Sequence, residues 1–103
     1  LVHKGEGFRS SGHLYLTRIP GVSLEQRNAI IDEMAALGIA CNVHYKPLPM
    51  TTAYKNLGFD IAEYPNANAY YKNEITLPLH TRLTDEDVEY VVACFEKVVR
   101  KYI

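Results

Sequence analysis

Three consecutive side chains, His44, Tyr45 and Lys46, set an imidazole, a phenol and an ammonium side by side in the stretch Asn42-Val43-His44-Tyr45-Lys46-Pro47-Leu48-Pro49. The imidazole titrates near neutrality, the phenol joins a donor to an aromatic face, and the ammonium is a mobile positive charge. Together they suit a phosphorylated or polyhydroxylated ligand. Pro47 and Pro49 restrict the backbone that follows, so the three groups are presented in a narrow range of geometries. Loops held by a packed scaffold are where binding groups tend to sit. A structural reading competes with this one: His44 closes a strand, Tyr45 packs and Lys46 is solvated.

Other chemistries find less support. The four histidines, His3, His13, His44 and His80, pair with no Cys, carboxylate or second His at ligand spacing, so no metal site is expected. His3 and His13 read as solvent-facing or structural. Cys41 precedes His44 by three residues but lies in an apolar run, whereas a reactive thiol needs an accessible, electropositive setting. No nucleophile elbow, phosphate-binding glycine loop or dinucleotide fingerprint is found. Tyr54, Tyr64, Tyr70 and Tyr71 concentrate in the middle of the chain, as amphipathic aromatics do at interfaces. They lack the basic surround that stacking on nucleic acid requires. Arg82, after the last strand, could clamp a carboxylate bidentately, but surface solvation is the more common outcome for such a residue.

Bulk properties narrow the class. With 103 residues, 48% hydrophobic and 22% charged, the chain is long and apolar enough for one packed domain. A net charge of -1, from 11 basic and 12 acidic residues, gives no general attraction to nucleic acid or anionic lipid. No apolar run reaches the roughly 18 residues of a membrane span, and no secretory signal is recognisable. Cys41 and Cys94 read as buried thiols in a reducing, cytoplasmic setting, with a disulfide as the alternative. The start at Leu1 rather than Met leads to the expectation of a fragment of a longer protein.

The elements that must position the His44 loop follow from periodicity and punctuation. Residues 1–11 read as an irregular lead-in. His13–Ile19 alternates and is rich in β-formers, and Pro20-Gly21 ends it. Ser23 with Gln26 makes a capping box for a helix whose apolar face is Ile30, Ile31, Met34 and Leu37, stopped by Gly38. Ile39–Val43 reads as a second strand. Thr51 or Thr52 caps a short helix through Leu57, closed by Gly58, and Pro65-Asn66 opens another. Glu74–Leu79 is a third strand, with Pro78 marking an edge or an exit. Thr84 and Asp87 cap a last helix with Val88, Val91, Val92, Phe95, Val98, Val99 and Tyr102 at helical spacing. The expected fold is α+β: a small three-stranded sheet with two long amphipathic helices on one face.

In this order the pieces resemble the C-terminal domain of the DegT/DnrJ/EryC1/StrS family of pyridoxal-phosphate-dependent nucleotide-sugar aminotransferases. The resemblance rests on Gly12–Leu16, Leu37–Ile39, Val43–Pro49, Ala53–Phe59, Tyr64–Ala67, Ile75–His80 and Leu83–Val88. Where many members carry a second histidine, this chain has Pro49. The resemblance implies that residues 12–103 form the small domain of a fold type I enzyme, and that residues 1–11 lead in from a missing N-terminal domain. It places the Schiff-base lysine and most phosphate contacts in that missing domain, so Lys46 is not that lysine and no catalytic residue is expected in this stretch. It implies pyridoxal phosphate in the whole enzyme and none bound to this part alone. It also implies a homodimer, glutamate as donor, and a nucleotide-linked keto sugar as acceptor in glycan biosynthesis. His44, Tyr45 and Lys46 are then expected to line the sugar-nucleotide side of the cleft. The strand and helix order by itself also allows an independent ferredoxin-like module that binds a small ligand or regulates.

Overall fold

The computed structural model describes residues 4–103. His3 and the first residues of the lead-in lie outside them. The rest of that lead-in is irregular only at residues 10–11: before them β1 (Lys4–Gly5) and β2 (Phe8–Arg9) form an antiparallel hairpin. Gly7, between them, has φ 78°, a left-handed conformation that favours glycine.

The main sheet pairs β3 (Tyr15–Arg18) with β4 (Glu74–Leu77), antiparallel, with Tyr15 opposite Leu77 and Arg18 opposite Glu74. The expected three-stranded sheet is not formed. Instead of a strand over Ile39–Val43 there is a single antiparallel bridge, Asn42 to Thr76, made by reciprocal backbone bonds of 3.0 and 2.8 Å. Its physical reason lies two residues further on, where His44 turns its own N–H to a side chain rather than to a ladder carbonyl. The bridge flanks β4 on the side away from β3, so β4 is central and buried at every residue. Pro78 therefore marks the strand's exit and not an edge.

Helix α1 (Leu24–Ala36) begins with both legs of the Ser23–Gln26 capping box. It ends in a Schellman motif: Ile39 N–H donates to the Met34 carbonyl and Gly38 N–H to that of Ala35, with Gly38 at φ 78°. The same motif closes α2 (Thr52–Asn56), where Phe59 and Gly58 N–H groups reach Tyr54 and Lys55. Phe59 packs on the Tyr54 ring, the hydrophobic contact that accompanies such an ending. Helix α3 (Pro65–Asn73) runs directly into β4, and α4 (Asp85–Val99) starts with a complete Thr84–Asp87 capping box despite the short Asp side chain.

The core gathers Ile30 and Met34 of α1, Ile75 and Leu77 of β4, and Val98 and Val99 of α4, with Ile19, Val22 and Ile39. Two expectations for the helix faces need correction. Leu37 is 39% exposed because it is the C-cap, already turned off the apolar stripe. Val88 and Val92 are each 46% exposed, although they fit the helical period. The apolar stripe of α4 is wider than the core it covers, and these two valines face a groove instead.

Candidate functional site

The site is built from the bridge outward. Asn42 is pinned to Thr76, and the Asn42 side-chain oxygen accepts from the Val43 N–H at 2.8 Å. This fixes the chain as it enters the His44 loop. The His44 N–H then donates to Glu74 Oε2 at 3.0 Å, and the His44 Nδ1 lies 2.9 Å from Thr76 Oγ1. Thr76 Oγ1 donates to Glu74 Oε1 at 2.6 Å. Glu74 is 1% exposed, and both its oxygens are occupied by this network. A buried carboxylate needs such partners, because desolvation without them is costly.

Period-two alternation explains the arrangement. Ile75 and Leu77 point into the core, so Glu74 and Thr76 share the opposite face, toward the His44 loop. The polar pair inside an otherwise apolar strand was the sequence signal for these two residues, and reading the strand only as scaffold missed it.

His44 is half-buried, whereas Tyr45 is 69% exposed and Lys46 is also exposed. The peptide between His44 and Tyr45 is cis. The Tyr45 ring meets the His44 ring edge-on, with centroids 4.6 Å apart. A cleft of about 270 Å³ lies between this loop, Ala67, Tyr70 and Tyr71 of α3, and Glu74. Lys46 is not among its lining residues.

Behind the tyrosines stand two arginines. Arg18 of β3 lies 4.2 Å from the Tyr70 ring centroid, and Arg27 of α1 lies 4.8 Å from that of Tyr71. Arg27 is 2% exposed, and sequence reasoning did not single it out. Its guanidinium reaches the Glu74 carbonyl at 3.5 Å, and its Nε has no hydrogen-bond partner among the described residues. The tyrosine cluster thus divides. Tyr70 and Tyr71 line the His44 cleft, and Tyr54 and Tyr64 line a separate shallow apolar cavity with Phe59 and Pro47.

The remaining candidates lie outside this cleft. His13, His80 and Arg82 are exposed, and the Arg82 backbone N–H donates to the His80 Nδ1. Cys41 and Cys94 are free and half-buried rather than fully buried, and burial pushes the Cys41 thiol up. That makes Cys41 a poor thiolate. Among the described residues no group of His, Cys, Asp and Glu could hold a metal ion. None of their helices is long and apolar enough to cross a membrane.

The cleft beside His44 offers an imidazole, three phenols and a carboxylate whose oxygens are already engaged. It contains no lysine, so this cleft by itself does not fit the Schiff-base site of a pyridoxal phosphate enzyme. It fits hydrogen bonding and stacking to a polar ligand.

Comparison with known proteins bears on what that ligand is. Spr1654 of Streptococcus pneumoniae, which bears a provisional assignment as a sugar aminotransferase, superposes in its PLP form with a TM-score of 0.95 and 60% identity. The match covers 100% of this chain and 26% of that one. The spore coat polysaccharide biosynthesis protein SpsC of Bacillus subtilis is 33% identical over 98 residues, covering 89% of this chain and 24% of the relative. The UDP-4-amino-4,6-dideoxy-N-acetyl-beta-L-altrosamine transaminase of Helicobacter pylori is 32% identical over 83 residues, covering 81% and 22%. The chain therefore spans about a quarter of the length of the relatives it matches. The family model matches residues 2–96, nearly the whole sequence, and on this ground the chain belongs to the DegT/DnrJ/EryC1/StrS aminotransferase family.

Proposed function

We propose that this chain is the C-terminal domain of a pyridoxal-phosphate-dependent enzyme that moves an amino group from glutamate to a nucleotide-linked keto sugar, in cytoplasmic biosynthesis of a cell-surface polysaccharide or another glycan. Residues 12–103 form the small domain and residues 1–11 lead in from the larger one. The observation that carries this reading is family membership over residues 2–96, in a chain a quarter as long as its relatives. The relatives' names supply the sugar class, a UDP-linked amino sugar that amino transfer to the corresponding keto sugar would form, and the pathway class, a polysaccharide. When bound in the whole enzyme, the cofactor supplies the electron sink, and the protein supplies orientation and electrostatics.

Within that enzyme His44 and Tyr45 line the sugar-nucleotide side of the active cleft. Lys46, exposed on the same loop, supplies positive charge to the diphosphate. The groove lined by Tyr15, Leu79, Leu83, Val88 and Val92, about 220 Å³, is where the larger domain of the same polypeptide docks. Contiguous exposed apolar side chains mark such surfaces, and the relatives' extra length supplies the occupant. The whole enzyme is a homodimer. The ferredoxin-like alternative loses ground because the sheet has two strands and one bridge rather than a four-stranded arrangement.

The test is to express the longer polypeptide and record its cofactor absorbance before and after glutamate, then after a UDP-linked keto sugar. Conversion of the cofactor band by glutamate and its return with the sugar support the reading. A longer protein that binds no pyridoxal phosphate sinks it.

A further inference from the structure

Strand β4 is buried on both faces, yet one face carries Glu74 and Thr76 instead of apolar side chains. These are the groups that touch His44. A threonine hydroxyl has one proton. That proton goes to Glu74 Oε1, at 2.6 Å, so the Thr76 oxygen is left only as an acceptor. The His44 Nδ1 at 2.9 Å from the same oxygen must then be the protonated nitrogen. In the neutral ring the lone pair falls on Nε2. Among the described residues Nε2 has no protein partner, and it is not a buried atom left unpaired, so solvent reaches it. The second carboxylate oxygen, Oε2, takes the His44 backbone N–H and fixes the ring's base.

We propose that Glu74 and Thr76 are positioning residues that hold His44 with its proton on Nδ1 and present the Nε2 lone pair to the cleft, so that this position accepts a hydrogen bond from a sugar hydroxyl or amide N–H. The tautomer is set by second partners, as it is for histidines that bind metals or act in catalysis. Thr76 does the orienting, and Glu74 keeps Thr76 an acceptor. The ligand half of the proposal rests on the sugar-aminotransferase reading, whereas the tautomer half does not.

The experiment uses the full 103-residue chain with nitrogen-15 in the histidine rings. Long-range proton–nitrogen couplings identify the protonated ring nitrogen directly, and His44→Gln assigns the His44 signals. At pH about 8 the expected result is a ring with its proton on Nδ1 and none on Nε2. A ring protonated on Nε2 overturns the proposal. Thr76→Val should shift the ring toward the Nε2-protonated form, and Thr76→Ser should retain the Nδ1 form. A Val variant that stays folded, by its amide spectrum, and keeps the Nδ1 form removes Thr76 from the role. Should Val fail to fold, wild type and Thr76→Ser still decide, because loss of the Nδ1 form in Ser counts against the relay. The ligand half is read separately in the longer enzyme by titration with UDP-N-acetylglucosamine, where His44→Gln should raise Kd at least tenfold. An Nδ1-protonated ring with no change in that Kd leaves the relay standing and overturns the sugar contact.

Discussion

The Tyr102 hydroxyl donates to Glu33 Oε1 at 2.6 Å, and the Lys101 ammonium pairs with the other oxygen of the same carboxylate, tying the end of α4 to α1. The Lys101 hydrogen bond, then that from Tyr102, holds the Glu33 carboxyl below its usual range. Because the folded-state value is depressed, the stabilisation is complete above the unfolded carboxylate pKa of about 4.3 and is lost as pH falls through the folded value. The Tm of the chain should thus be flat near neutrality and decline below about pH 4. Glu33→Gln should make that decline shallower. Thermal melts across this range check it, and an unchanged slope in the variant removes Glu33 as a contributor.

The capping box of α4 gives a second expectation. The Thr84 hydroxyl accepts from the Asp87 N–H at 3.1 Å, and Asp87 accepts from the Thr84 N–H at 2.9 Å. Thr84→Ala should cost about 1 kcal/mol, and Thr84→Ser should cost little, since serine caps as well. Urea midpoints for the two variants are the measurement, and equal losses would argue that the threonine methyl matters instead.

Arg27 and Tyr71 give a third, with opposite signs for the two partners. The guanidinium is buried without an ion pair among the described residues, and its Nε is unpartnered. Replacing such a cation with an apolar side chain of similar length is often neutral or stabilising, by about 1 kcal/mol or more. Arg27→Met should therefore hold or raise the urea midpoint. Tyr71→Leu leaves the cation buried without its ring and should cost about 2 kcal/mol. A loss of several kcal/mol in Arg27→Met would show that the Glu74 carbonyl and the Tyr71 ring hold the cation better than an apolar side chain fills its place.

A fourth expectation separates the core from the groove beside α4. Met34 is fully buried, so Met34→Ala should cost about 2–5 kcal/mol in this chain. Val92 is 46% exposed in the groove, so Val92→Ser should change the stability of this chain by no more than about 0.5 kcal/mol. If the larger domain proposed above docks on this groove, the same change lowers Tm and activity in the longer enzyme. A Val92→Ser enzyme with unaltered Tm would place the larger domain elsewhere.

Much of the frame was legible in the residues. The caps at Ser23 and Thr84, the stop at Gly38 and the long helices they bound follow from local chemistry, because a cap needs only groups three or four residues apart. The family likeness rests on the same kind of information, ordered short pieces.

What the sequence by itself determined is therefore the set of local elements, the polar run His44-Tyr45-Lys46, and membership of an aminotransferase family. Only the tertiary structure decided how that run is held. The segment before His44 forms one bridge instead of a strand, because the His44 N–H is drawn to the Glu74 carboxylate thirty residues away. Which half of the α4 stripe enters the core, and which is left for a groove, depends on where α1 and β4 end. The Arg27 cation on Tyr71 and the Glu74–Thr76–His44 network join residues distant in sequence, with separations of 30 and 32 for the two His44 contacts. Such contacts leave no periodic trace along a chain, since they depend on register and crossing rather than on neighbouring side chains.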